Sequence, residues 1–365
     1  MNKKLIAATT ATCFLLPATS AFAAKVLDKK LEIYGKVHLS IDSVDSDTTL
    51  AANTSEGISI SSNSSRLGFK GVLPAGNLNF IYKIESEISF DEGNNNNGKG
   101  SKLSSRNTYA GLKGGFGQII LGQHDTPFKT VASKWGIFGD SVGERRSILG
   151  AGYKSGNKLN IRARNAIMYT FKANAITFDA MYAVDPDSAP DGTKDNTDSS
   201  ITSLSVRYKN GPLWIGVASE SYDNAYDLKN GSALRIGAKY KFGSAQVGAF
   251  YESIDTDSNL AAENDWNREA TGLNVKFKIN KATDIRAQYL VADDADNTTD
   301  TGASKLSLGV FHKLDKKAQV YVAYGATDND ANAKFQAVDG GHGDEVKTKN
   351  GGNPSAISLG LIYKF

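Results

Sequence analysis

The chain has 365 residues, 22% of them charged and 40% hydrophobic, with a formal net charge of +3. Its mean hydropathy is -0.34, and beyond the amino-terminal segment no apolar run reaches the ~20 residues that a membrane-spanning helix needs. The basic residues are dispersed without forming a basic run, which argues against nucleic-acid binding, and the single cysteine, Cys13, gives the rest of the chain no thiol or disulfide chemistry.

The first segment reads as an export signal. Met1-Asn2-Lys3-Lys4 is basic, Leu5 to Pro17 is a short apolar core, and Ala21-Phe22-Ala23 fits small-x-small cleavage. Residues 1–23 are therefore expected to be removed, leaving one domain over 24–365. The apolar core is too short for an anchor and is interrupted by Thr9, Thr10 and Thr12.

Beyond it, apolar and polar residues alternate with period two at 31–42, 65–73, 78–90, 105–114, 117–123, 165–172, 175–183, 200–208, 213–220, 232–241, 245–252, 268–277, 283–292, 303–312, 317–325 and 355–365. These are sixteen predicted strands. Leu78, Phe80, Tyr82 and Ile84 face one way, against Asn79, Ile81, Lys83 and Glu85. Alternation alone fits a secreted β-sandwich as well as a membrane barrel. The connections separate the two. Short links such as 73–77, 115–116, 209–212, 242–244 and 315–316 alternate with long ones at 43–64, 91–104, 124–164, 184–199, 221–231, 253–267, 293–302 and 326–354. Short turns on one rim and long loops on the other are the outer-membrane barrel arrangement.

Aromatics give a second indication. Phe171, Tyr208, Tyr240, Phe277 and Phe365 end strands on the short-turn side, and Tyr182, Tyr251, Tyr289 and Tyr324 end strands on the other, as two interfacial girdles would require. The final strand runs to an aromatic tip, with Tyr363 and Phe365 as the expected assembly signal. Lipid tolerates no open sheet edge, so the sheet must close on itself. The predicted fold is all-β: a transmembrane antiparallel barrel of sixteen strands, with short periplasmic turns, long extracellular loops and, at that strand number, an aqueous lumen.

Three phrases carry a family resemblance: Leu31-Glu32-Ile33-Tyr34-Gly35-Lys36, Ser65-Arg66-Leu67-Gly68-Phe69-Lys70-Gly71 and Arg106-Asn107-Thr108-Tyr109-Ala110-Gly111-Leu112-Lys113. Their order and the terminal Phe365 make the sequence resemble the general-diffusion porins of Gram-negative outer membranes, trimeric barrels narrowed by an inward-folded third loop. The resemblance implies a homotrimer and a basic constriction wall at Lys36, Arg66, Arg106 and Arg162. By alternation Arg164 joins Arg162 on the lumen side, and Glu85 is their counter-charge. The long connection 124–164 is the pore loop. Where the family often carries Pro-Glu-Phe-Gly-Gly, this chain has Gly136-Ile137-Phe138-Gly139-Asp140. Ile137 stands in the place of the acid, leaving Asp140 and Glu144 as the opposing carboxylates among Lys129, Lys134, Arg145, Arg146, Lys154 and Lys158.

The expected function is passive diffusion of ions and small hydrophilic solutes, with a modest anion preference because the loop lacks its usual acid. The outer loops are acidic, with Asp185, Asp187, Asp191, Asp195 and Asp198 in one and Asp293, Asp294, Asp296 and Asp300 in another. Exposed mouth charges are screened over ~8 Å at physiological salt. The expected surroundings are outer-membrane lipid and lipopolysaccharide. No catalytic residue, metal or cofactor is expected: His38, His124, His312 and His342 lie on separate elements, Gly93 to Lys99 lacks the hydroxyl of a nucleotide loop, Gly150 to Gly156 has no βαβ context, and the Asp294 loop lacks the glycine of a calcium loop. Two other readings remain open, a substrate-selective channel and a surface adhesin or structural barrel. The inward faces read as mixed Ser, Thr, Asn, Glu and Lys, which favours general diffusion.

Overall fold

The computed structural model describes residues 25–27, 29–48, 57–91, 106–154, 156–157, 159–186, 199–225, 230–256, 267–343 and 346–365. The expected signal 1–23 and several outer-loop acids lie outside the described residues.

Sixteen antiparallel strands make the wall. They are β1 (Leu31–Asp45), β2 (Gly57–Ser62 continued by Arg66–Ala75), β3 (Leu78–Glu87), β4 (Thr108–Gly114) and β5 (Gly117–Asp125), then β6 (Arg162–Ala173), β7 (Ile176–Val184), β8 (Ser200–Asn210), β9 (Leu213–Asp223), β10 (Gly231–Phe242) and β11 (Ala245–Asp255). The last are β12 (Arg268–Lys278), β13 (Thr283–Ala292), β14 (Ala303–Lys313), β15 (Ala318–Asn329) and β16 (Ser355–Lys364). An α-helix, α1 (Pro127–Trp135), and a 3-10 turn at Arg145–Ser147 lie between β5 and β6, and a short extra strand, Lys25–Leu27, pairs with β1.

Each strand pairs with its neighbours in sequence, and the barrel closes where β1 meets β16, from Lys36 opposite Lys364 to Asp45 opposite Ser355. Phe365 completes the seam. It exchanges backbone hydrogen bonds of 3.0 and 3.1 Å with Gly35, and its ring sits where a Cβ on Gly35 would be, 2.3 Å from that position. Any larger residue at 35 would displace the terminal ring.

Period two sorts the side chains as the sequence implies. Ile84, Leu204, Val206, Leu234, Ile236, Leu308 and Leu359 are exposed, forming an outward apolar surface that a barrel presents to lipid. Tyr182, Tyr289 and Tyr324 on the long-loop side and Phe171, Tyr240 and Phe277 on the short-turn side are exposed as well. Strand limits differ from the sequence reading at the long-loop rim, most clearly near the seam. β1 runs on to Asp45, and β2 gains Gly57–Ser62, whose Ile58 and Ile60 alternate with Ser59 and Ser61. The two parts of β2 are separated by Asn63-Ser64-Ser65, with Ser64 in the left-handed region at φ 49°, so the repeat breaks phase and the outer half escapes a period-two scan.

The lumen is not uniformly polar. The described residues of connection 126–161 fold inward, and α1 packs along β7–β10. Phe128, Val131, Ala132 and Trp135 of α1, with Ile148, Leu149, Tyr153 and Leu159, form a buried core with the inward Met168, Met181, Ile201, Ala218, Phe250 and Leu290. The inward face in this region is therefore apolar where a mixed polar face was expected, because the folded loop covers it.

Candidate functional site: the inward-folded connection and the basic wall

The loop's local sequence starts its helix. Thr126 caps α1 by accepting from the Lys129 N–H at 3.2 Å, Pro127 sits in the first turn and Gly136 ends it. Phe128, Val131, Ala132 and Trp135 are spaced to bury one face. These signals were present in the sequence, which read the segment only as a long loop. The Trp135 ring occupies space left by Gly272, where a Cβ would stand 3.0 Å from it.

Inward residues of the far wall hold the loop by its backbone. Arg235 Nη1 donates to the Phe128 carbonyl at 3.3 Å, while its Nε donates to Glu252 at 2.6 Å. Glu252 in turn accepts from the Gly150 N–H at 2.7 Å. Arg268 Nη2 donates to the Ile148 carbonyl at 2.7 Å, and Lys305 Nζ to the carbonyls of Glu144 (2.9 Å) and Ala337 (2.5 Å) and to Ser147 Oγ (2.7 Å). Gln288 reaches the Gly143 carbonyl at 3.2 Å, and Arg286 the Ile137 carbonyl at 2.5 Å. Arg235, Glu252 and Lys305 are fully buried. Burying such charges is tolerable only because each is paired or hydrogen-bonded. Sequence reasoning missed these anchors, since on the strand pattern they look like any lumen residue.

At the loop tip Ile137 is half-buried, and Phe138 packs edge-on against Phe311 with centroids 6.0 Å apart. Gly139 and Asp140 both have positive φ, 30° and 59°, and turn the chain toward β1. Asp140 accepts from Lys36 Nζ and from Arg146 Nη2, both at 2.7 Å. Partial burial alone would raise the Asp140 carboxyl, but Lys36 and Arg146 outweigh it and hold the group well below the usual carboxylate range. Glu144 follows the same logic: burial opposes, and Arg145 at 2.5 Å and Arg146 at 3.4 Å bring its pKa down.

Opposite the tip stands the basic wall. Arg106 Nε lies 3.0 Å from Glu85, which also meets Lys83 at 3.1 Å, the Tyr34 hydroxyl at 2.8 Å and Arg66 at 3.9 Å. Arg106 Nη1 reaches Glu87 at 3.0 Å. Arg162 donates to Asn107 at 2.8 Å and lies 3.3 Å from Asp125, which Lys129 meets at 2.8 Å. Burial and the nearby Arg162 and Arg146 lower the Lys129 ammonium to about 8, against the pull of Asp125.

Between loop and wall is a cavity of about 370 Å³ lined by Arg66, Arg106, Arg162, Lys129, Arg145 and Arg146 together with Glu87, Asp125, Asp140 and Glu144. Of the expected wall residues, Arg66, Arg106 and Arg162 line it, and Glu85 braces two of them. Lys36 is buried and tied to Asp140. Arg164 does not line it: Asn165, with φ 48°, sits in a bulge where β6 shifts register against β5, so alternation no longer places Arg164 in the lumen, and the side chain is exposed.

The described residues of connection 330–354 also bend inward and meet the seam strands. Ser64 Oγ donates to the Gly341 carbonyl at 2.9 Å and the Gly343 N–H to Asn63 at 2.8 Å. His342 lies 3.2 Å from the buried Asp42, which also accepts from Ser40 (2.9 Å), Ser61 (2.6 Å) and Ser358 of β16. Asp294 caps its own loop, accepting from the N–H groups of Thr301 and Gly302 at 2.7 and 2.8 Å.

A closed barrel with an apolar outside, narrowed inside by a loop held against a charged wall, is a membrane channel. The chain matches the Gram-negative porin family over residues 7–332 and belongs to it. It is an outer-membrane diffusion channel. No curated protein sequence matches it closely. Its structure is similar to an anion-selective porin from Comamonas acidovorans (TM-score 0.73, 22% identity, 92% of this chain and 99% of that one). It is also similar to OmpT, an outer membrane protein of Vibrio cholerae (TM-score 0.67, 18% identity, 92% and 97%), and to a mutant of the Rh. blastica porin (TM-score 0.60, 16% identity, 92% and 100%).

Proposed function

We propose that the cavity between connection 126–161 and the β1–β6 wall is the constriction of the channel and that it favours anions modestly. The charge around it carries this reading: six cationic side chains face four carboxylates. Asp140, the acid at the loop tip, is matched by Lys36 from the wall and Arg146 from the loop itself. A narrow, low-dielectric passage with surplus positive charge raises the local concentration of anions. The similarity to a porin described as anion-selective agrees with it. The zero-current potential of the refolded protein in a planar bilayer across a KCl gradient tests the reading. An anion-leaning potential is expected, and a cation-leaning one overturns it.

The working unit we propose is a homotrimer. Among the similar structures one is described as the trimer form of OmpT. Current inserting in steps of three, with a single cross-linked species of three chains, is the expected result.

A further inference from the structure

A second cavity, of about 390 Å³, lies on the short-turn side of α1 and shares no lining residue with the first. Lys134, Lys172, Arg207, Lys209, Lys239 and Lys241 surround it, with Trp214 among them. The strand register gathers these cations. Lys209 stands opposite Trp214, and Trp214 opposite Lys239, so two ammonium stems flank one indole on adjacent strands ~5 Å apart. Lys241 follows Lys239 on the same face of β10, ~7 Å further along. Lys239 Nζ sits 5.0 Å from the centre of the Trp214 ring and donates to the Lys134 carbonyl at the end of α1. Lys134 itself comes from the helix whose other face lines the constriction through Lys129 and Ser133.

The difference from the constriction lies in the carboxylates. The first cavity has four in its lining and the second has none. Asp179, on the neighbouring strand, is committed to Arg207, Ser205 and Thr170. Among the described residues, no carboxylate lies within ion-pair distance of Lys134, Lys172, Lys209, Lys239 or Lys241. Like charges gathered in a cleft repel, and the cleft relieves this by concentrating mobile counter-ions. An ion with several charges and several acceptor oxygens satisfies such a group better than halide does, because each lysine supplies only donors and acts as a mobile point charge.

We propose that this cavity is a binding station for small multivalent oxyanions, phosphate and phosphate esters, between the constriction and the short-turn mouth. It requires an open channel and its own lysines, and it stands whichever ion the constriction prefers.

The test uses the full chain refolded in lipid, with inorganic pyrophosphate as the probe against chloride at matched ionic strength. Pyrophosphate should reduce the KCl current more effectively from one side of the membrane than from the other. Lys239→Gln with Lys241→Gln should raise the half-blocking concentration at least tenfold, as loss of one charge-assisted hydrogen bond does. Lys239→Arg, which keeps the charge, should retain the block. Arg66→Gln, in the first cavity, should shift the zero-current potential and leave this block in place. Tryptophan emission gives a readout independent of current: pyrophosphate should titrate it in the wild type and not in Trp214→Phe. That titration decides the matter even if the glutamine variant fails to fold. Pyrophosphate acting no more strongly than chloride, or a block unchanged in the glutamine variant, overturns the proposal.

Discussion

Across the lumen from one another, β1–β6 and β7–β14 share one alternating pattern and use their inward positions differently. On the first side Arg66, Arg106 and Arg162 reach into an open cavity, braced by Glu85 and Asp125 at their bases. On the second, Arg235, Glu252, Arg268 and Lys305 are buried beneath a folded loop and hold its carbonyls. Charged residues of the same types thus line an open cavity on one side and hold a folded loop on the other. The character of an inward residue in a barrel is set by what covers it.

Breaking the buried side should have the largest effect. Arg235→Ala removes the 2.6 Å partner of Glu252 and leaves only Arg268, at 3.6 Å, to balance a buried carboxylate. A loss of about 3 kcal/mol is expected from denaturant unfolding in micelles, partly restored by adding Glu252→Gln. Lys305→Met should cost less, about 1–3 kcal/mol for acceptors left unpaired. Its signature would be faster amide exchange through 144–147 and noisier open-channel current, because one ammonium ties connection 126–161 to the Ala337 carbonyl. If Lys305→Met behaves as wild type in both, the buried charges are not what holds the loop.

Changes on the open side should alter selectivity with little loss of stability. Arg66→Gln should lower the anion-to-cation permeability ratio roughly two- to fivefold, the effect of ~0.4–1 kcal/mol from one screened charge near the ion's path. The smallest expected effect is that of pH. Lys129, lowered to about 8 by burial and neighbouring arginines, loses its charge as pH rises through that value. The anion preference should therefore decline between pH 7 and 9. The Asp140 carboxyl is depressed in the folded state, so its stabilising contribution is present above its unfolded pKa of ~3.9 and is lost as pH falls below it. Unfolding midpoints should hold steady from pH 7 to about 4 and drop beneath that.

The wall was legible because period two is imposed by the chain itself, and β13 has the limits its pattern indicates, Thr283–Ala292. The contents of the lumen were less so. Whether Met168 or Phe250 meets water or an apolar loop depends on residues more than a strand away, and alternation carries no such information. Arg66 and Arg106 could be read from two of the family phrases and Arg162 from its expected place before the sixth strand, whereas the bulge at Asn165 that removes Arg164 from the group could not. Asp140 was readable as a candidate acid, but its pairing with Lys36 depends on how the loop tip turns. The helix in the loop had its cap and spacing in plain view at Thr126-Pro127 and went unread because the segment was judged by its length.

Asp42 joins β16 through Ser358, β2 through Ser61 and the last long connection through His342. At the seam where the first and last strands meet, a slip of two residues would return every side chain to its own face, so burial of apolar surface could not tell the correct closure from the wrong one. A buried carboxylate that takes one of its hydrogen bonds from β16 can, because such a slip removes Ser358 from Asp42 while Ser40 and Ser61 stay in place. Asp42 thus marks the correct register of the finished circumference with a polar contact across the closing seam.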